Sequence, residues 1–213
     1  MVNIEKFIVN PLQENSYVVS DETGECVLVD PGYYFEEEQI EIREYLSDNN
    51  LKPVCIANTH CHFDHIMGVE FIRKIYNIPF IAHRADAFWV ERAVDQGQMF
   101  GFDMERVQAP DSYFEEGDEL KFGNSSFRII HIPGHSPGHT VFYFESNNFL
   151  IAGDVLFYGS IGRTDLPGGN YQELISNITN KILQLPEETI VYCGHGPDTT
   201  IKNEKTFNPF LTR

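Results

Sequence analysis

The residues best suited to chemistry in this chain are histidines and aspartates. His60, His62, Asp64 and His65 stand together in Thr59-His60-Cys61-His62-Phe63-Asp64-His65, and His135, Asp154 and His195 follow at wide intervals. Imidazole and carboxylate groups together suit zinc, iron or manganese, and a donor set without thiolate points away from a purely structural zinc site. Four donor residues within six positions are hard to explain by packing. Their local settings repeat a theme: His60 follows an apolar run, Asp154 ends one in Ala152-Gly153-Asp154, His195 lies between Gly194 and Gly196, and His135 sits in Ile132-Pro133-Gly134-His135-Ser136-Pro137-Gly138-His139. Glycine and proline fix loop paths and let backbone approach a ligand closely.

In a loop after a strand, alternate residues point the same way, so His60 and His62 can face one ion while Asp64 and His65 open the next helix and turn toward a neighbour. Two ions roughly 3.5 to 4 Å apart can share a carboxylate and lower the pKa of water toward neutrality. A workable allotment gives His60, His62 and His135 to one ion and Asp64, His65 and His195 to the other, with Asp154 bridging. Spacing alone does not fix which residue serves which ion.

The elements needed to carry these residues read as an α/β pattern. Ile4 to Val9, Ser16 to Val19 and Cys26 to Val29 are short apolar or alternating runs, stopped by Asp30-Pro31-Gly32. A surface helix is expected over Glu36 to Leu46 and a buried strand over Pro53 to Ala57, directly before the His60 motif. Helices are expected over Met67 to Tyr76, Arg84 to Gln96 and Tyr171 to Leu185, and a strand over Pro79 to Ala82. Strands return at Leu120 to Phe122, Phe127 to Ile132, Thr140 to Glu145, Phe149 to Ala152 and Thr189 to Cys193. Gly97 to Asp111 has no period and reads as a possible cover over the site. No repeat, linker or low-complexity tract divides the chain, so one domain over residues 1–213 is expected.

With 213 residues, 42% of them hydrophobic, the chain can bury a sizeable core. Its 15 basic and 32 acidic residues give a formal charge of −17, which disfavours nucleic acid and anionic membranes as partners. The start lacks the pattern of a signal peptide, and no apolar stretch approaches the roughly 20 residues that span a bilayer. Cys26, Cys55, Cys61 and Cys193 form no CxxC pair and read as reduced thiols of a cytoplasmic protein.

Taken together, the HxHxDH motif, His135, Asp154, His195 and the early Val29-Asp30-Pro31-Gly32 resemble the metallo-β-lactamase superfamily over nearly the whole chain. The resemblance implies a four-layer αββα sandwich and the same allotment of donors. Within that superfamily the chain looks most like compact type II glyoxalases (hydroxyacylglutathione hydrolases), through Gly159-Ser160-Ile161-Gly162-Arg163-Thr164-Asp165-Leu166-Pro167-Gly168-Gly169 and the Asn208-Pro209-Phe210-Leu211 ending. It departs from the larger glyoxalases in lacking their helical C-terminal extension, and Gly196-Pro197 replaces the tyrosine that usually follows the last histidine.

The activity so implied is hydrolysis of a small-molecule thioester, S-2-hydroxyacylglutathione, by a hydroxide bridging two zinc ions, with Asp64 and Asp154 as the catalytic carboxylates. Arg163 is the expected grip on a substrate carboxylate, against a structural ion pair with Asp165. Asp30 reads as a buried loop anchor, His139 as a residue orienting His135 or an ordinary loop residue, Cys61 as a packed thiol, and Phe88, Trp89 and Phe100 as core or lid. The rival readings are an iron-dependent persulfide dioxygenase using His60, His135 and Asp154, a lactonase or β-lactamase, and a non-catalytic metal-binding module.

Overall fold

The computed structural model describes residues 2–212. By contact density the chain divides into two compact units, one of residues 1–114 and 121–126 and one of residues 115–120 and 127–213.

The first unit is built on a six-stranded sheet in the order β1 to β6. Its elements along the chain are β1 (Asn3–Val9), β2 (Glu14–Ser20), β3 (Glu25–Val29), α1 (Glu36–Asp48), β4 (Lys52–Ala57), α2 (Phe63–Ile66), α3 (Val69–Tyr76), β5 (Phe80–His83), α4 (Ala87–Glu91), α5 (Ala93–Met99) and β6 (Ser112–Phe114). The β1–β2 and β2–β3 pairs are antiparallel, and β3–β4, β4–β5 and β5–β6 are parallel. The central strands are apolar on both faces, and Cys26 to Val29 and Ile56 to Ala57 are sealed from solvent, as strands covered on both sides require. The two crossover helices show why their sequences fold as they do. In α1, Ile42 and Leu46 lie four apart and are buried, while Glu38 ties down its start by accepting from the backbone N–H groups of Asn10, Tyr34 and Phe35. In α3, Val69 and Ile72 face inward, and Asn77 ends the helix in the left-handed region at φ 51°.

The second unit carries the sheet β14-β13-β10-β9-β8-β7. Its elements are β7 (Glu119–Phe122), β8 (Ser125–His131), β9 (Thr140–Phe144), β10 (Phe149–Gly153), the small hairpin β11 (Leu156–Phe157) and β12 (Ser160–Ile161), α6 (Tyr171–Asn180), β13 (Ile190–Cys193), β14 (Thr199–Thr200) and α7 (Ile201–Phe207). Strands β7 and β8 contribute residues to both units. Leu174 and Ile178 of α6 pack with Ile182 into a core shared with Ile130, Leu150 and Val191, each buried aliphatic side chain contributing about 1.5–3 kcal/mol.

One feature of topology positions the chemistry in both units. Each contains a parallel strand pair whose carboxyl ends lie side by side. Val29 of β3 is opposite Ala57 of β4, so Asp30 and the Asn58–His65 segment emerge together. Gly153 of β10 is opposite Cys193 of β13, and the Gly194 N–H donates to the Gly153 carbonyl at 2.8 Å, so Asp154 and His195 emerge together. Side chains just past such ends are held by rigid strands yet leave the ladder.

Three expectations are adjusted. The single helix over Arg84 to Gln96 is a 3-10 turn (Arg84–Asp86) followed by α4 and α5, interrupted at Arg92. The helix over Tyr171 to Leu185 ends at Asn180 and continues as a 3-10 turn from Ile182. Of the aperiodic stretch 97–111, the later part is pinned: Met104 and Val107 are buried, Glu70 accepts the Gln108 N–H, and Arg73 reaches Asp111 at 3.0 Å. Among the described residues no helix is long and apolar enough to cross a membrane.

Candidate metal centre

In the first unit the donors hang on a loop that starts where β4 stops. Asn58, fully buried, donates through its amide to the carbonyls of His60 at 3.2 Å and His65 at 2.8 Å, which closes the loop onto the start of α2. Asp30 anchors the same loop from β3. Its carboxylate accepts the Thr59 N–H at 2.7 Å and the Thr59 hydroxyl at 2.6 Å, and faces His65 Nδ1 at 3.2 Å. Because the Thr59 hydroxyl gives its proton to Asp30, its lone pair faces His60 Nδ1, 3.2 Å away. Asp30 thereby sets both rings as the Nδ1–H tautomer, His65 directly and His60 through Thr59. Both are left with an Nε2 lone pair for a metal. Asp30 holds this position at φ +48°, the left-handed region that aspartate tolerates better than most residues. The donor atoms of Asp30, His60 and His65 lie within 4.8 Å of one another.

His62 stands with its ring perpendicular to that of His60, centroids 4.8 Å apart, and edge-on to Trp89 at 4.8 Å. Asp64, in the first turn of α2, brings Oδ2 to 3.8 Å from His65 Nε2. Behind these donors lies Glu14, fully buried and 3.5 Å from His65 Nδ1. Burial pushes its carboxyl well above the usual range, against the pull of His65. Gly32 leaves no room for a Cβ against Glu14, Asn10 and the Asp64 carbonyl, which accounts for the glycine of Asp30-Pro31-Gly32.

The second unit presents the other donors. His135 directs Nδ1 to the Arg163 carbonyl at 2.8 Å, which again leaves Nε2 as the metal-facing atom. Gly162 makes that contact possible, since a Cβ there would collide with the Asp154 carbonyl beside His135. Asp154 Oδ2 lies 3.6 Å from His135 Nε2 and 3.8 Å from His195 Nε2. These gaps are too long for hydrogen bonds. They are close to the roughly 3.4 Å that separates two donors each about 2.1 Å from one tetrahedral ion. The orientation of Asp154 comes from His139, whose Nε2 accepts the Asp154 N–H at 3.0 Å. His139 is thus an orienting residue, serving Asp154.

Two tautomer-fixed imidazoles in one unit and one in the other, with carboxylates at ligand spacing, fit divalent metal ions. Cys61 does not join them: burial, and then the charges of Asp86 and Asp30, push its thiol well above its usual range, so it stays a packed thiol as expected. His83 accepts the Ala85 N–H and His131 pairs with the Pro137 carbonyl, so neither belongs to the donor set. Arg163 forks onto Asp165, with Nε to Oδ1 at 2.7 Å and the second arm at 2.8 Å, and this guanidinium holds Asp165 down at about 2. Of the aromatics, Trp89 is core, whereas Phe100 is half-exposed and stacks on Phe63 at 5.3 Å. Sequence reading missed Asn58, Thr59 and Glu14. Asn58 and Thr59 adjoin the motif and carry a usable signal, being polar residues at the end of an apolar strand. Glu14 lies far upstream and carries none.

Residues 9–195 match the family model of the metallo-beta-lactamase superfamily. The chain is 38% identical over 212 residues to hydroxyacylglutathione hydrolase GloC of Haemophilus influenzae, covering 99% of this chain and 98% of that one. Among solved structures it is similar to BLEG-1 B3 metallo-beta-lactamase, with a TM-score of 0.91 and 38% identity, covering 99% of this chain and 100% of that one. It is also similar to TTHA1623 in a di-iron-bound form, with a TM-score of 0.87 and 38% identity, covering 97% of this chain and 100% of that one. The expected α/β fold is therefore the metallo-β-lactamase fold, and the chain belongs to the metallo-beta-lactamase superfamily as a metallo-hydrolase.

Proposed function

We propose that these side chains hold two divalent ions in a cytoplasmic thioesterase. His60, His62 and His135 would hold one divalent ion, Asp64, His65 and His195 the second, and Asp154 both, with zinc as the resident metal. Bound there, the ions would polarise an acyl carbonyl and lower the pKa of water toward neutrality. The donor chemistry supports this reading, since an imidazole with Nδ1 already engaged, as in His135, and the Asp154 carboxylate, 3.6 Å from His135 and 3.8 Å from His195, need little rearrangement to bind.

The chain's own residues do the rest. Asp30 and Thr59 keep His60 and His65 in one tautomer, and His139 keeps Asp154 aimed. Asp64, beside His65, orients the nucleophile. A thiolate leaves readily, so no strong general acid is needed at the sulfur. Arg163 offers a planar fork for a substrate carboxylate, and the substrate would replace Asp165 as its partner. The substrate is S-2-hydroxyacylglutathione, cleaved to a 2-hydroxy acid and free thiol. The likeness to the Haemophilus influenzae hydroxyacylglutathione hydrolase across both chains is the observation that carries this choice. A reducing compartment fits the four free, buried cysteines.

The likeness to a B3 metallo-beta-lactamase favours a second reading, hydrolysis of a β-lactam amide at the same centre. The deciding assay follows thiol release from S-lactoylglutathione by zinc-loaded wild type and Asp64→Ala, beside hydrolysis of a β-lactam and dioxygen uptake with a persulfide by the iron-loaded protein. Release by wild type alone supports the thioesterase. β-Lactam turnover without thiol release would replace it with the second reading, and persulfide-dependent dioxygen uptake would replace it with an iron dioxygenase.

A further inference from the structure

The loop that carries His60 and His62 is held by three side chains, Asp30, Asp86 and Gln96. The N–H groups of alternate residues each meet a buried acceptor. Thr59 N–H donates to Asp30 Oδ1 at 2.7 Å, Cys61 N–H to Asp86 Oδ2 at 3.0 Å, and Phe63 N–H to Gln96 Oε1 at 3.1 Å. His60 and His62 are the residues between them. In extended backbone successive side chains leave on opposite sides, and His62 is extended at φ −64°, ψ 149°. Side chains two apart thus leave on one face, and holding the intervening N–H groups holds the backbone from which the two rings project.

Asp86 occupies the N-cap position of α4, where an aspartate ordinarily turns its carboxylate onto the first free N–H groups of its own helix. Here it makes no such bond, and it is completely buried. Its Oδ2 goes to the Cys61 N–H. Trp89, one turn further along α4, meets the edge of His62, and Gln96 of α5 reaches Phe63. The segment from Arg84 to Met99 thus backs the metal loop at three points.

We propose that Asp86, with Gln96, is a positioning residue for the metal donors His60 and His62, acting through the N–H groups of Cys61 and Phe63. The inference rests on the reading of His60 and His62 as metal donors and adds to it the groups that aim them. Loss of an orienting partner of this kind typically weakens metal binding by about 10- to 100-fold.

The test uses cobalt(II) as the probe ion, with affinity measured by competition against a chromophoric chelator and geometry by the visible absorption of the bound cobalt. Circular dichroism and the melting temperature of the metal-free proteins control for folding. Asp86→Ala is expected to weaken cobalt binding by about 10- to 100-fold and to alter the absorption bands. Asp86→Asn, which keeps a carbonyl oxygen for the Cys61 N–H, is expected to recover most of that loss. Wild-type affinity and bands in a folded Asp86→Ala would overturn the proposal, as would an Asp86→Asn no better than Asp86→Ala. Should Asp86→Ala fail to fold, Gln96→Ala and its rescue by Gln96→Glu carry the same comparison, and unchanged cobalt binding by Gln96→Ala overturns it. A wild type that takes up no cobalt would overturn the metal-centre reading and this inference with it.

Discussion

The backbone N–H of Asp154 donates to Nε2 of His139 at 3.0 Å, although the two lie 15 residues apart and both are buried. The carboxylate that lies 3.6 Å from His135 and 3.8 Å from His195 is thus held, through its backbone, by a third imidazole. His139→Ala leaves that N–H without its acceptor, at a cost of about 1–3 kcal/mol in stability, and tilts Asp154. Chemical denaturation should show the loss, and zinc titration should show affinity reduced by about 10- to 100-fold.

Asp30 gives a sharper test of tautomer control. Asp30→Asn keeps one carbonyl oxygen but places an amide donor among the Thr59 hydroxyl, the Thr59 N–H and His65 Nδ1. The rings can no longer both present Nε2 without leaving a donor facing a donor. Nitrogen-15 spectra of the metal-free protein should show His65 and His60 losing the Nδ1–H form. Unchanged ring tautomers would contradict the role given to Asp30.

What was legible in the sequence, and what was not, follows from distance along the chain. The candidate donors of the first unit stand out because four of them share one short loop after an apolar strand. The candidates His135, Asp154 and His195 stand out because glycine and strand ends flag each one locally. Of their supports, Asp30 is marked by the Asp30-Pro31-Gly32 stop, but which group it holds is not, since Thr59 stands 29 positions away. Gln96 meets Phe63 across 33 positions, a contact that exists only once the chain has folded. The break at Arg92 was equally invisible, since Val90-Glu91-Arg92-Ala93 contains neither glycine nor proline. Strand β14 has two residues, too few to show a period, so the register that seats it against β13 could not be foreseen.

Arg163 and Asp165 form an exposed ion pair whose electrostatics can be read directly. The Arg163 guanidinium holds the Asp165 carboxyl down at about 2. Its folded-state value is depressed, so the contribution of the pair is present above the ordinary aspartate range and is lost as pH falls through about 2. Arg163→Ala should raise the Asp165 midpoint to the ordinary range near 4 in a carbon-13 titration. With a carboxylate-bearing thioester, the same variant should raise KM more than it lowers kcat.

Glu204 closes the end of the second unit. It is fully buried and accepts from Thr199 Oγ1 at 2.6 Å, from Asn203 and Asn208 amides at 2.7 Å each, and from the Gly159 N–H at 3.0 Å. It ties α7 and the Asn208-Pro209 ending to the turn before β12, and so to Gly162 and Arg163. Glu204→Ala strands several buried donors at once and should cost about 3 kcal/mol or more. Urea unfolding of the metal-free protein would register this as a lowered midpoint, and a shift within a few tenths of a kcal/mol would refute the clasp.

The proposed function requires two divalent ions per chain, with Asp154 a ligand of both. Metal content per chain, measured by elemental analysis after zinc loading and gel filtration of wild type and Asp154→Ala, tests it most directly. The expected result is two zinc ions per wild-type chain and one or none in the folded variant. One ion or none in wild type, or two ions retained in Asp154→Ala, would contradict the claim.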